Sequence, residues 1–249
     1  MIDIHAHILP HLDDGSASTA VSLQMAKIAV RSGVTDLIAT PHSNQRGKYE
    51  NYASPMLEEQ LSRLREKLRQ EEIPLRLHQG MEVYATFDLM KLFERGKLLT
   101  LAGSRYLLLE FGFYDEPEYM AHVLSRVLAG GLTPIVAHPE RYYALQAVPN
   151  YVSDWVAAGV HLQINKGSLF GAFGRDAREL AIKLLDHGLI SFCASDAHRS
   201  DRRTPSLAEA YDWIAAHDSE ITARRLLREN PERVLANKPL EVCRPIPFR

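Results

Sequence analysis

Cysteine is scarce in this chain: only Cys193 and Cys243 occur among 249 residues. One lies in an apolar run and the other near the carboxyl terminus. A structural disulfide is therefore not expected, and a reducing cytoplasm is. No apolar stretch is long enough to span a bilayer. The opening Met1-Ile2-Asp3-Ile4-His5 also lacks the basic region and long apolar core of a secretory leader. No membrane insertion is expected. Nor is there an excess of charge of one sign. The formal net charge of -2 leaves no bulk electrostatic footprint for nucleic acid or a membrane surface. Internal repeats, low-complexity tracts and linkers are missing too. No Gly-rich loop follows the first apolar run, which argues against a dinucleotide-binding fold.

What is present is a regular series of seven short apolar runs, each ending in a polar residue suited to holding a metal. Ile2-Asp3-Ile4 leads into His5-Ala6-His7. Residues 37–40 pass through Pro41 into His42. The run 75–78 leads to Glu82, and 106–109 ends in Glu110. Residues 133–137 end in His138, 161–164 in Asn165, and 190–195 in Asp196 followed by His198. Amphipathic segments alternate with these runs. Residues 18–32 carry Val21, Met25, Ile28 and Ala29 at helical spacing, with Ser18 or Thr19 as a cap and Gly33 at the stop. Residues 54–72 place Leu57, Leu61, Leu64 and Leu68 against a charged face. Further helices are expected over 116–129, 152–158, 177–186, 206–216 and 220–228. Strand–helix alternation implies right-handed βαβ units and a parallel sheet.

A chain of 249 residues suits one barrel of this kind, whose active site is built from the carboxyl ends of its strands. The expectation is a distorted seven-unit (β/α) TIM-like barrel, α/β in class, as a single domain over 1–249. Residues 239–249, with Pro245 and Pro247, are expected to form a C-terminal surface tail. An open doubly wound sheet is the fallback.

His5 and His7 are two apart in a strand, so both imidazoles face one side and can meet one cation. Asp196 and His198 repeat that spacing. With His42, Glu82, Glu110 and His138 they make a nitrogen and oxygen donor set without thiolate. Such a set suits Mn, Fe, Zn or Co better than a structural cysteine-type zinc site. There are too many donors for one ion, so two or three divalent ions bridged by a carboxylate are expected. A single strand-end histidine or glutamate is ordinarily a capping or surface residue; it is the matched positions of the set that point to metal.

With those residues in view, the chain resembles the PHP (polymerase and histidinol phosphatase) superfamily. More narrowly, it resembles the bacterial metal-dependent tyrosine phosphatases of capsule and exopolysaccharide operons. The resemblance rests on the opening 1–10 with Asp13-Asp14-Gly15, on Thr40-Pro41-His42 and on Leu109-Glu110-Phe111. It continues through Ala137-His138-Pro139-Glu140-Arg141, Gly167-Ser168-Leu169-Phe170-Gly171, Ala194-Ser195-Asp196-Ala197-His198 and Asn230-Pro231. It implies a (β/α)7 barrel with three metal ions, manganese first among the candidates. Carried over, His5, His7, Glu82 and Asp196 hold the first ion, Glu82, Glu110 and His138 the second, and Asp14, His42 and His198 the third. Arg141 and Arg203 match the phosphate-binding arginines, with Arg199 and Arg202 crowding the loop of Arg203. The implied substrate is a phosphotyrosine protein, a membrane-associated tyrosine autokinase controlling polysaccharide export. No nucleic-acid partner is expected.

The chemistry needs these types. Paired metal ions lower the pKa of a water, neutralise the ester and align an in-line displacement. Arginines then grip oxygens whose charge grows in the transition state. His11 and Asp13 are read as exposed loop residues, with proton donation as their other reading. Cys193 to Arg199 formally fits the C-x5-R pattern of cysteine-based tyrosine phosphatases. The segment lacks glycine, and its cysteine sits in an apolar run, so Cys193 is expected to be inert core. Histidinol-phosphate phosphatase, a nuclease or phosphodiesterase, and a non-catalytic binding barrel are the alternative functions.

Overall fold

A computed structural model of the chain describes residues 1–241, Ile246 and Phe248. Its strand segments are β1 (Ile2–Ala6), β2 (Asp36–Ala39), β3 (His42–Ser43), β4 (Arg76–Gln79), β5 (Glu82–Tyr84), β6 (Tyr106–Glu110), β7 (Thr133–Ala137), β8 (His161–Asn165) and β9 (Phe192–Ala194). The helices are α1 (Thr19–Arg31), α2 (Pro55–Gln70), α3 (Leu89–Glu94), α4 (Pro117–Ala129), α5 (Tyr143–Ala147), α6 (Tyr151–Ala157), α7 (Lys166–Leu169), α8 (Arg175–Asp186), α9 (Ala208–His217), α10 (Glu220–Arg224) and α11 (Asn230–Leu235). Among the described residues, no helix is long and apolar enough to cross a membrane.

Every strand pairing is parallel. One sheet runs β1-β2-β4 and the other β3-β5-β6-β7-β8-β9. The seven expected strands thus become nine segments, because two are broken. Pro41 separates β2 from β3. Its carbonyl accepts from Glu82 N at 3.2 Å, but it has no N–H with which to continue the ladder. Gly80 and Met81 separate β4 from β5. A Cβ on Gly80 would lie 2.8 Å from Ile38 Cγ2 and 3.1 Å from Leu101 Cδ2, so only glycine allows this close passage. At the other edge, β1 meets the residues after β9. Ala6 and Ala197 form a parallel bridge, with Asp196 N donating to the His5 carbonyl at 2.9 Å and His7 N to the Ala197 carbonyl at 2.8 Å.

The strands read as near-continuous apolar runs because parallel strands are covered on both sides. One buried cluster gathers Ile2, Ile4, Ile38, Tyr106, Leu108, Ile135, Phe192 and Ala194 with Val234 of α11. A larger one packs the alternate strand residues, such as Leu37, Leu107, Leu109, Val136 and Leu162, with the buried faces of the helices. Helix α1 is capped by Ser18, whose hydroxyl accepts from Val21 N; Ser54 caps α2 in the same way, with Pro55 in its first turn. Leu57, Leu61, Leu64 and Leu68 of α2 are buried as their spacing predicts. The segment expected as one helix over 220–228 is instead α10 followed by a π turn over Arg225–Glu229.

Of the expected tail, Glu241 exchanges backbone-to-side-chain hydrogen bonds with Asn230, and Ile246 N donates to the His187 carbonyl at 2.9 Å. The Phe248 ring lies 4.4 Å from that of His187. Cys243, Pro245 and Pro247 lie outside the described residues.

Candidate metal centre

Nine side chains, carried at the ends of six strand segments and by the loop after β1, converge at one end of the sheets. Strand β1 supplies His5 and, just beyond its end, His7. A register slip between Asp3 and Ala6 places three steps of β1 against two of β2. This bulge breaks strict alternation: Ile2 and Ile4 face one cluster, Ala6 packs in the other, and His5 and His7 turn in beside Glu82 and Asp196. His42 opens β3, Glu82 opens β5, and Glu110 closes β6. His138 and Asp196 follow β7 and β9 with φ of 36° and 48°. Non-glycine residues in this left-handed region are strained, and such strain gathers at functional sites.

The distances are short. The Glu82 Oε2 atom lies 2.9 Å from His42 Nδ1, 3.2 Å from His7 Nε2 and 3.3 Å from His5 Nε2. His138 Nε2 is 2.9 Å from Glu82 Oε1 and 3.8 Å from Glu110 Oε1. Asp14 Oδ1 lies 3.5 Å from His42 Nε2 and 3.4 Å from His198 Nε2. Asp196 Oδ1 lies within 3.6 Å of nitrogens of His5, His7 and His198. Three groupings have donor atoms mutually within 4.8 Å: His5, His7 and Asp196; His42, Glu82 and Glu110; and His7, Asp14, His42 and His198. They differ from the expected sets in three respects. Glu82 is absent from the grouping of His5, His7 and Asp196. His7 also joins the Asp14 grouping, and His42 stands beside Glu82 and Glu110, where His138 was expected to complete the set.

The donor set fits divalent cations. Glu82 Oε2 is buried with imidazole nitrogens around it, yet it takes a hydrogen bond from none of them. Three histidines have their outward nitrogen committed elsewhere: His5 Nδ1 donates to the Gln163 side-chain carbonyl at 2.8 Å, His7 Nδ1 to Asp13 at 2.7 Å, and His198 Nδ1 to the Asp196 carbonyl at 3.0 Å. Their Nε2 lone pairs are thereby aimed into the cluster, the arrangement that metal-binding imidazoles use. The charge balance agrees. Four carboxylates face five imidazoles, and burial alone would push His42 toward the neutral form. Glu82 and Glu110 outweigh it and hold that imidazole up at about 10. The site demands positive charge.

Both arginines reach the cluster. Arg141 stands on the single turn Pro139–Arg141, its Nη1 3.5 Å from Asp196 Oδ2. Arg203 Nη2 is 2.6 Å from the same oxygen, and its backbone is left-handed at φ 48°. Arg199 and Arg202 are exposed. Arg141 does not pair with Glu140, which is buried and accepts from Ser168 Oγ and Asn165 N.

Sequence reasoning missed several supporting residues. Asp13 is not an exposed loop residue: its carboxylate is buried between His7, the His42 N–H and the Gly15 N–H. Burial pushes its pKa up, but the His7 charge and hydrogen bond prevail and hold it down. His11 is exposed, as read. On β8, Gln163 Nε2 donates to Asn165 Oδ1, and Asn165 Nδ2 donates to Asp196 Oδ2 at 2.6 Å, a chain linking His5 to Asp196. The alternation of His161, Gln163 and Asn165 in a buried strand was the available signal. Cys193 is free and buried in β9. Burial, with the Glu140 and Asp3 charges, pushes its thiol pKa up, so it is no nucleophile.

The family described as capsular polysaccharide synthesis, CpsB/CapC, matches residues 1–236. The chain belongs to that family. It is 35% identical over 238 residues to the tyrosine-protein phosphatase YwqE of Bacillus subtilis, covering 96% of this chain and 92% of that protein. It is 32% identical over 243 residues to the tyrosine-protein phosphatase CpsB of Streptococcus pneumoniae, covering 96% and 99%. A crystal structure from work on these two proteins, described there as unique metal-dependent tyrosine phosphatases, superposes with a TM-score of 0.94 at 34% identity over the whole of both chains.

Proposed function

We propose that this chain is a metal-dependent protein-tyrosine phosphatase that regulates a membrane-associated tyrosine autokinase of capsular or exopolysaccharide synthesis from the cytoplasmic side. One observation carries the reading: two guanidinium groups meet at Asp196 Oδ2, on the rim of a buried cluster of imidazoles and carboxylates. A cation-binding floor beside a pair of arginines fits a phosphate dianion. The length, identity and coverage of the tyrosine phosphatase relatives support this over histidinol-phosphate cleavage.

Three ions are proposed, with manganese preferred and iron, zinc or cobalt as substitutes. The first would be held by His5, His7, Glu82 and Asp196, the second by Glu82, Glu110 and His138, and the third by Asp14, His42 and His198. When bound, such ions lower the pKa of a water and neutralise the ester. The chain's own residues do the rest. Asp13, Gln163 and the Asp196 carbonyl lock the tautomers of His7, His5 and His198. Arg141 and Arg203 orient the phosphoryl oxygens and stabilise charge as it shifts. The phenolate leaving group, with a parent pKa of about 10, needs less protonation than a serine alkoxide would.

The frame is proposed as one distorted (β/α)7 barrel of PHP type in a single domain over 1–249, with 239–249 as surface tail. The Ala6–Ala197 bridge beside the two interrupted strands supports a ring of seven strand positions. Metal-loaded protein is expected to hydrolyse a phosphotyrosine peptide, to lose activity with its metal on chelation, and to regain it with Mn²⁺. Preference for histidinol phosphate, or full turnover with metal content nil, would overturn the reading.

A further inference from the structure

The Gly167 to Gly171 stretch contributes no donor to the cluster, yet it is held close beside it. Ser168 Oγ donates to Glu140 Oε1 at 2.6 Å, and Asn165 N donates to the same oxygen at 2.9 Å. The residue after Glu140 is Arg141. One buried carboxylate thus ties the turn carrying Arg141 to the start of α7. The chain then doubles back through Gly171 and Gly174, with φ of 77° and 95°, values that a side chain would resist. This reversal lays the Phe173 ring over Gly167. A Cβ there would lie 3.1 Å from Phe173 Cε2 and 3.3 Å from Ala172 Cβ, so a side chain would press the ring out of place.

The ring touches both arginines. The Arg141 guanidinium carbon is 4.5 Å from the Phe173 centroid and 4.8 Å from that of Phe113. The Arg203 guanidinium carbon is 5.5 Å from the Phe173 centroid. Both distances to Phe173 are within cation–π range. We propose that Phe173 is a positioning residue for phosphate binding, its ring holding the guanidinium groups of Arg141 and Arg203 in one orientation. This rests on the reading of those arginines as the phosphate grip. An arginine side chain has many rotamers and loses their entropy when it binds. Asp196 Oδ2 holds one tip of each fork, and the Asp196 carbonyl also accepts from Arg203 Nε at 3.3 Å, so Arg141 is the less restrained of the two by polar contacts. A ring face against each guanidinium limits its plane before substrate arrives, so less order is lost on binding.

The test is Phe173→Leu in the metal-loaded, full-length protein, with Phe173→Met as a second apolar variant should the first not fold. Steady-state rates are measured on a phosphotyrosine peptide and on an alkyl phosphate, with competitive inhibition by inorganic phosphate and metal content in parallel. Loss of two partly exposed cation–π contacts predicts a fall in kcat/KM of about tenfold. The fall should be equal for aryl and alkyl esters, with phosphate inhibition weakened to match and metal content unchanged. Phe173→Trp should keep most activity. In an Arg141→Ala, Arg203→Ala background, Phe173→Leu should cost nothing further. Wild-type kinetics for Phe173→Leu, or a loss confined to the aryl substrate, would overturn the proposal; the latter would make the ring a wall for substrate. If the two arginine variants alone are near wild type, the underlying phosphate-grip reading fails. If they are crippled while Phe173→Leu is not, only this proposal does.

Discussion

Glu82→Gln tests the centre of the site with the smallest change of shape. The carboxylate is buried, with imidazole nitrogens of His42, His7 and His5 at 2.9, 3.2 and 3.3 Å from one oxygen and His138 at 2.9 Å from the other. It belongs to both the first and second proposed ion sets. Glutamine keeps the volume, so no cavity cost is expected. What is lost is one anionic donor for each of two ions. At about 1.5–3 kcal/mol per charged contact, the two together cost roughly 3–6 kcal/mol. That is a metal affinity lower by about 10² to 10⁴. Stability of the metal-free protein should fall as well. Burial pushes the Glu82 carboxyl up, but the charges of His5 and His42 and the His138 hydrogen bond prevail and hold its pKa well down, so glutamine leaves those imidazoles without their partner. Metal-free Glu82→Gln should therefore melt below its parent, and the variant should lose metal on dialysis and kcat/KM by a thousandfold or so. The assay pairs metal analysis after dialysis with turnover of a phosphotyrosine peptide and thermal melts of metal-free samples. Full metal stoichiometry with activity within threefold of wild type would refute the reasoning. A metal-free melting point equal to or above that of the parent would show that the imidazoles do not depend on Glu82 as their partner.

Asp13→Asn should keep the fold but free His7 from its tautomer, lowering metal affinity by about 10- to 100-fold; unchanged affinity by titration would show that the contact does not orient the ring. Cys193→Ala should leave kcat/KM within a factor of two and alkylation should be slow, because the thiol is buried with its pKa raised; a thousandfold loss with metals intact would restore the cysteine mechanism. His161 is pulled by burial to about 4. Its unfolded value is about 6.5, so between these limits the unfolded chain binds more protons and stability falls as pH falls. By pH 5 the cost is about 2 kcal/mol, and His161→Gln should escape it; equal losses in urea midpoint between pH 7 and 5 for both proteins would refute this.

Much of this was legible in the sequence, because short-range patterns carry it. Helices α1 and α2 follow from leucine and small-residue spacing and from the serines ahead of them, signals local to a turn or two. The parallel sheets follow from alternation of buried runs with amphipathic segments. The His5, His7 and Asp196, His198 pairs name themselves by spacing and by position at strand ends. Other features depend on contacts between distant segments, which spacing cannot report. The breaks at Pro41 and Gly80 arise where one strand hands over between neighbours, and the register slip in β1 turns His5 and His7 inward against simple alternation. Asp13 looked like a loop residue until the fold set His7 and the His42 backbone against it. Nothing in the sequence singles out Phe173, and only chain reversal over Gly167 brings it to both arginines. Residue types and local periodicity determined the elements and the donor inventory. Which donors share a cation, which carboxylate orients which ring and where the arginines point were decided by tertiary packing, because each depends on the distance between atoms far apart in the chain.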